Sequence, residues 1–214
     1  MDILLQNLPY LAKGAVQTVW MAAVTILCGT LVGFGLGFLA VSRFKLLRVL
    51  IDGYIFLTRG IPVLIVMFIT YYAFPAMGYR ISSYAAVTVA LVIYAGAFYT
   101  DVVRGALSSL PRGQTEAALS LGIRRGRIVL HILLPQALKP SIAPWLNISI
   151  VMVKSTSYAA IVGAWELTFA SREVVERTLA TFEIFSAVIV FYFIICYPLS
   201  LLSRRFEQQV VTSK

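Results

Sequence analysis

The fold is decided by residues 14–42, GAVQTVWMAAVTILCGTLVGFGLGFLAVS, a stretch in which no side chain carries a formal charge. An α-helix rises about 1.5 Å per residue, so roughly 20 apolar residues are enough to cross the hydrocarbon core of a bilayer. The stretch exceeds that length. Backbone amides in lipid must find their hydrogen-bond partners within the chain, and we therefore predict a membrane-spanning helix here.

Further apolar blocks of similar length follow along the chain. Three of them, 60–79, 81–100 and 184–203, contain no charged residue, and a fourth, 140–165, contains Lys154 as its one charged residue. The chain is 60% hydrophobic and 13% charged, which leaves too few charges to cover a soluble domain of 214 residues. We predict an all-α membrane protein made of one domain, 1–214, with about five transmembrane helices over 18–41, 60–76, 84–103, 140–162 and 184–203.

The N-terminal part of the chain has two further features, one before the first block and one within it. Leucines at helical spacing before residue 12 predict a short separate helix at the membrane surface. Within the span, Gly29, Gly33 and Gly37 recur at every fourth residue and form a smooth helix face. Such a face allows close helix packing within the chain or between two copies, and it also occurs where glycine has no special role.

The distribution of basic residues predicts the orientation of the chain. With the N-terminus outside and five spans, 13 lysines and arginines fall in the inner segments 43–59, 104–139 and 204–214, and four fall outside. This asymmetry follows the positive-inside rule. We predict a multi-pass membrane protein with its N-terminus outside and its C-terminus inside. The net charge of +9 is then an orientation signal and does not indicate nucleic-acid binding.

The inner loop 104–139 is too charged to cross the membrane and too long for a simple turn. Pro111 suits the first turn of a helix, and the run TEAALSL at 115–121 favours helix. Gly122 can then end that helix in a left-handed conformation. A second, basic helix is predicted to stop at Leu134-Pro135, because a residue before proline avoids helical geometry. A structured loop of this kind predicts a docking element.

This loop resembles the EAA loop of permease subunits in binding-protein-dependent ABC importers. The matching residues are Glu116-Ala117-Ala118, Gly122 and Ile132-Leu133-Leu134-Pro135. Flanking stretches resemble the polar amino acid branch of that family: Arg104–Leu107, Leu110–Gln114, Leu134–Leu138, Arg59-Gly60-Ile61-Pro62, Lys154-Ser155-Thr156-Ser157 and Glu166-Leu167-Thr168. They occur in the expected order and cover almost the whole chain.

The resemblance implies a type I ABC importer transmembrane domain with a cytoplasmic coupling loop, located in the bacterial cytoplasmic (inner) membrane. It implies four partners: a second permease subunit in a homo- or heterodimer, an ATPase dimer at the cytoplasmic face, an extracytoplasmic amino-acid-binding protein, and an amino acid substrate. It assigns coupling to the ATPase to Glu116, Ala117, Ala118, Gly122 and Pro135. The sequence has no Gly-x-x-x-x-Gly-Lys-Ser/Thr loop, the motif that binds the phosphates of a nucleotide. We therefore expect that this chain is not an enzyme and binds no cofactor, and that ATP and Mg bind to the partner ATPase.

Lys154 is the ionisable residue well inside a predicted span, where a charge costs at least ~2.5 kcal/mol unless it has a cavity or a partner. One hypothesis is that it contacts a substrate carboxylate. The others are that it pairs with another span or a carbonyl, or lies near the membrane surface. The predicted substrate path comprises Lys154, Ser155, Thr156, Ser157, Arg59 and Pro62. Similar permeases often have aspartate where Ser155 stands, and its absence favours acidic, amide or small polar substrates over cationic ones.

Other functional classes fit the sequence less well. Another ABC importer branch, carrying a quaternary amine or a different small solute, would share the inner loop, and an aromatic cage would favour it. A secondary transporter needs carboxylates or histidines inside its spans, a channel needs a filter loop or a charged ring, and a membrane enzyme needs a catalytic cluster. None of these patterns is visible in the sequence.

Overall fold

The computed structural model describes residues 2–41 and 44–212, with side chains described as far as Gln209, and this part of the chain is almost entirely helical. Its helices are α1 (Asp2–Ala40), α2 (Lys45–Gly60), α3 (Val63–Ala76), α4 (Ser83–Ser108), α5 (Arg112–Ser120), α6 (Arg125–Ile128), α7 (Leu134–Ser155), α8 (Leu167–Thr178) and α9 (Thr181–Thr212). A π-helical turn, Val129–Leu133, joins α6 to α7, and a 3₁₀ segment, Thr156–Val162, extends α7.

Four helical units in the described residues are long and apolar enough to cross a membrane, namely α1, α4, the unit Arg125–Val162 and α9. The pair α2 and α3, bent by 107°, would make a fifth if it counts as one broken span. The predicted all-α membrane fold is therefore confirmed. The limits of the individual spans stay predictions, since the helices extend beyond them at several ends.

The N-terminal residues form no separate helix, contrary to the sequence prediction. α1 is continuous over 39 residues and includes Pro9. Leu11 and Ala15 are buried in an apolar cluster with Leu167 of α8 and Ile184 of α9. This long-range contact gives the first turns of α1 a packed surface, and such packing supplies most of the stability of a helix in a protein.

The row of glycines on α1 is a packing surface within the chain. A Cβ atom added to Gly33 would lie 2.3 Å from Cβ of Tyr99 on α4, and one added to Gly29 would lie 2.8 Å from Cβ of Ala95. Gly37 approaches Val103 in the same way, at 2.7 Å. Of the meanings left open by the sequence, the structure selects the close approach of α1 to α4.

The inner segment predicted between the first two spans contains the helix α2. α2 buries Ile51, Ile55 and Thr58 on one side, against α1 and α4. After Gly60 the chain turns sharply at Ile61-Pro62, and α3 begins at Val63. α2 is therefore an amphipathic helix whose buried residues recur every three or four positions.

The predicted end of a helix at Leu134-Pro135 is wrong. The chain stays helical from Arg125 to Val162. The Leu134 N–H donates to the Val129 carbonyl five residues earlier, within the π-helical turn that precedes Pro135. Proline lacks an N–H and its ring crowds the carbonyl four residues back, and a wider turn at that point lets the helix continue. The loop 104–139 is also shorter than predicted, because α4 extends to Ser108.

Candidate functional site

Two helices follow α4, as predicted: α5 and, after a turn at Gly122, α6, which begins the long helical unit. Together, α5, this turn and α6 form the α5 hairpin. Its first arm is α5, which begins directly after Pro111. Gly122 has a φ of +72°, in the left-handed region that favours glycine. Its N–H donates to the Leu119 carbonyl at 2.9 Å, and the Ile123 N–H donates to the Ala118 carbonyl at 3.1 Å. These two bonds end α5 and turn the chain into α6.

Two contacts attach α5 to the rest of the bundle. Ala118 is buried in an apolar cluster with Leu107 of α4, Ile128 of α6 and Leu133 of the π-helical turn, among others. In addition, the side-chain amides of Gln114 and Gln136 donate to each other's oxygens at 3.0 and 2.8 Å. The hairpin is therefore held against the start of α7.

The predicted coupling residues do not all lie on one surface. Glu116, Ala117, Gly122 and Pro135 are exposed, whereas Ala118 faces the interior of this chain. Ala118 therefore packs within this chain and does not contribute to the outer surface of α5. Successive helical residues point about 100° apart, so one alanine can face outward while the next packs inward.

The predicted path residues of α7 also separate. Ser155 and Thr156 are buried, and their hydroxyls donate to the Val151 and Val153 carbonyls of the same helix. Ser157 is half-buried and donates to the Lys154 carbonyl. Lys154 is exposed, and within the described part of the chain it forms no ion pair. Of the four residues, only Lys154 presents its polar group to an open groove.

That groove lies between α7 and α9 and has a volume of about 410 Å³. Lys154 and Arg204 are the two charged side chains among its described lining residues, and no acidic side chain is among them. The rings of Phe193 and Tyr197 stack beside it with centroids 4.9 Å apart. The remaining lining residues are Ile150, Tyr192, Cys196, Ser200 and Leu201. A cationic, partly aromatic groove of this kind suits a ligand carboxylate.

Arg59 and Pro62 lie away from this groove, around the bend between α2 and α3. Arg59 forms an ion pair with Asp101 of α4, and its guanidinium carbon lies 5.3 Å from the centre of the Phe98 ring. Arg104 donates to Asp101 at 2.7 Å and also pairs with Asp52 of α2. The structure thus places Arg59 in a charge network that joins α2 to α4.

Sequence reasoning missed this network, although its spacing was visible. Asp101 and Arg104 are three residues apart, and Asp52 and Arg59 are seven apart, so each pair lies on one side of a helix. Opposite charges at these spacings on two adjacent apolar helices would have predicted ion pairs between the helices. The partially exposed pairs contribute only modestly to stability.

Glu166, which directly precedes α8, is fully buried. Its carboxylate accepts hydrogen bonds from the Phe169 N–H at 2.9 Å, which caps α8, and from the hydroxyls of Thr18 at 3.1 Å and Tyr192 at 3.3 Å. The Thr18 hydroxyl also accepts the Leu167 N–H at 3.1 Å. One carboxylate therefore connects α1, α8 and α9.

Glu166 lies outside the candidate spans, and burial raises the pKa of its carboxyl above the ordinary value of 4.5 although the hydrogen bonds oppose this shift. The folded state thus binds this proton more tightly than the unfolded state. We expect the carboxyl's contribution to the free energy of unfolding to be complete below pH 4.5 and to fall, by up to about 1.4 kcal/mol per pH unit, until the pH passes the folded pKa. Thermal unfolding in detergent across this range checks the effect. The variant Glu166→Gln should lack that slope, and equal slopes in both proteins would contradict the prediction.

A bundle of apolar spanning helices, an exposed helical hairpin at one end and a charged groove between two spans define the membrane subunit of a transport system. A family profile described as "Binding-protein-dependent transport system inner membrane component" matches residues 26–212, and the chain belongs to that family.

Curated relatives match over nearly their full length. The chain is 34% identical over 212 residues to the "Probable glutamine ABC transporter permease protein GlnM" of Bacillus subtilis (strain 168), covering 97% of this chain and 98% of that protein. It is 32% identical over 205 residues to the "Glutamine transport system permease protein GlnP" of Escherichia coli (strain K12), covering 95% and 94%.

Solved structures have the same fold. A chain of the "Crystal structure of an amino acid ABC transporter with histidines" superposes with a TM-score of 0.88 at 25% identity and covers 96% of both chains. A chain of the MetNI methionine ABC transporter in an inward-facing conformation superposes with a TM-score of 0.78 at 23% identity, over 96% of this chain and 98% of that one. This chain is therefore an inner membrane component with the type I ABC importer permease fold, a transport subunit and not an enzyme.

Proposed function

We propose that this chain forms the translocation path of an ATP-driven amino acid importer and couples that path to a separate ATPase dimer. The observation that carries the proposal is the continuous helical unit Arg125–Val162, which begins beside α5 and contains Lys154. From Pro135 to Lys154 this unit spans about 29 Å at the helical rise per residue. A displacement of α5 would therefore be passed along one helix to the groove.

The α5 hairpin is the part of the chain best suited to contact the ATPase. It presents the Glu116 carboxylate, the small Ala117 and the Gly122 turn on one exposed end. The partner dimer would hold ATP and Mg and, on closing, would draw together the hairpins of two permease subunits. Alternating access then follows from rigid-body movement of the spans around a site between them.

The orientation of the chain follows from the same assignment. The α5 hairpin would lie in the cytoplasm, the N-terminus outside and the C-terminus inside, which agrees with the excess of basic residues in the inner segments. A solute-binding protein would deliver the amino acid at the opposite end of the bundle. The name of the matched family supports dependence on such a protein.

We propose neutral or acidic amino acids, with glutamine as the first candidate, as the substrate. Lys154 would contact the α-carboxylate, and the two cations of the groove would repel an arginine or lysine side chain. The permeases named for glutamine in Bacillus subtilis and Escherichia coli support this choice. A quaternary amine fits the aromatic residues of the groove but would meet the same two cations, with no acid in the described lining.

The experiment that tests this function is purification of the tagged chain in mild detergent with its co-purifying partners. We expect an ATPase subunit to co-purify, and its ATP hydrolysis to rise with glutamine-loaded binding protein. Stimulation by a different loaded amino acid would replace glutamine and keep the importer. A chain that purifies without an ATPase and drives uptake under an ion gradient would contradict the proposal in favour of secondary transport.

The glutamine pair should transmit movement between α5 and α7. Gln114→Ala removes both hydrogen bonds to Gln136, and we expect the number of molecules transported per ATP to fall about 2- to 30-fold, the range of single-residue effects on coupling. Uptake and hydrolysis are measured together in proteoliposomes. The exposed Gln6, on the first turns of α1, provides a control in Gln6→Ala. An unchanged ratio in Gln114→Ala would show that the pair has no part in coupling.

A further inference from the structure

A cleft of about 560 Å³ opens at the end of the bundle that carries α5, and neither the coupling contacts nor the Lys154 groove use it. Its walls come from the end of α1, from the residue before α2 and from the start of the long helical unit. The lining residues include Phe38, Leu39, Val41, Phe44, Arg124 and Arg125.

The position of this cleft along α1 corresponds to the edge of the hydrocarbon core. The uncharged block that forms α1 reaches the cleft at Val41. The apolar wall is accessible, since Leu39 is 41% and Phe44 63% exposed. The cleft therefore has an apolar side that continues the lipid-facing surface of α1 and a cationic side at the depth of the lipid headgroups.

The two arginines of the cleft are exposed, and within the described part of the chain neither forms an ion pair. No acidic side chain is among the described lining residues. Guanidinium groups bind phosphate oxygens through two parallel hydrogen bonds, and neighbouring cations strengthen the attraction for an anion. The charge of this site thus fits a phosphate group.

We propose that this cleft binds an anionic membrane phospholipid, with Arg124 and Arg125 on its phosphate and the apolar wall against the first methylenes of its acyl chains. A lipid is a better occupant than free phosphate because the lining combines cations with apolar side chains that a free anion would leave uncovered. Basic pockets beside spanning helices recognise lipid headgroups in this way. The occupied cleft would hold the end of α1 against the start of the helical unit that leads to α7.

The test is native mass spectrometry of the full chain, purified with its ATPase subunit and titrated with phosphatidylglycerol or phosphatidylcholine of the same acyl chains. We expect preferential binding of phosphatidylglycerol. The variant Arg124→Gln/Arg125→Gln should weaken that binding about 30-fold, from the contribution expected of two arginines at a membrane surface. The matched pair Arg127→Gln/Lys139→Gln removes the same charge from exposed positions outside the cleft and should leave it nearly unchanged.

A second variant tests the apolar wall separately. Leu39→Trp keeps both arginines but fills part of the lipid-facing side, and it should weaken phosphatidylglycerol binding as well. Equal losses in the two charge-removing pairs, or displacement of the lipid by inorganic phosphate, would overturn the proposal. Loss of the ATPase subunit from Arg124→Gln/Arg125→Gln with lipid binding intact would also overturn it, because the arginines would then belong to a protein interface.

Discussion

Gly122→Asp should lower the rate of uptake about 100-fold or more, while the chain still folds and inserts into the membrane. A Cβ atom at this position would have no atom within 4 Å, so the chain itself has room for the new side chain. The left-handed φ of +72° adds only about 1 kcal/mol of strain, since aspartate tolerates this region better than most residues. The larger cost would arise on docking, where a carboxylate without a partner is buried against the ATPase, and such a charge costs several kcal/mol.

The matched variants separate charge from shape. Gly122→Asn has nearly the same size and backbone preference as Gly122→Asp but no charge, and it should retain more uptake. Co-purification of the ATPase subunit and uptake in proteoliposomes are measured for both. If Gly122→Asp transports at the wild-type rate, the α5 hairpin does not serve as the coupling element.

Lys154→Ala should lower kcat/KM for uptake about 10- to 150-fold, the effect of removing one charged hydrogen bond to a substrate carboxylate. The reason is that Lys154 lines the groove between α7 and α9 without a described ionic partner. Truncating it breaks no ion pair within the described chain, and the melting temperature in detergent should change little. Uptake of labelled glutamine against concentration, at fixed binding protein, measures the effect.

Two controls make this result specific. Lys154→Arg keeps a cation in the groove and should retain part of the uptake, whereas Lys139→Ala removes an exposed cation outside it and should have little effect. If Lys154→Ala leaves both kinetics and specificity unchanged, the substrate does not contact this residue. The substrate path would then have to lie outside this groove.

Several features of the fold could be predicted because they depend on neighbouring residues alone. The uncharged stretch 14–42 predicted a helix from its length and polarity. Gly122 predicted a left-handed turn because glycine adopts positive φ without steric cost, and the observed φ confirms it. The order of the family motifs predicted the class of protein, which the family match confirms.

Two features of the chain were not predicted correctly, for two different reasons. The helix end at Pro135 failed because a π-helical turn lets the chain continue, and the tendency of residues before proline does not include that turn. Ala118, which the resemblance assigns to coupling with the ATPase, packs inward, since the side of α5 that is covered depends on α4, α6 and the π-helical turn. The first case is a local exception to the rule, whereas the second depends on residues from other parts of the chain.

Glu166 shows the difference between sequence and tertiary structure most clearly. Its carboxyl group is buried among contacts from Thr18, which is 148 residues away, and Tyr192. The sequence by itself determined the membrane-spanning class, the helical hairpin and the family, because hydrophobic length and turn conformation are local quantities. Only the tertiary structure decided which polar side chains are buried and which face a groove, because burial is decided by residues that become neighbours only when the helices pack.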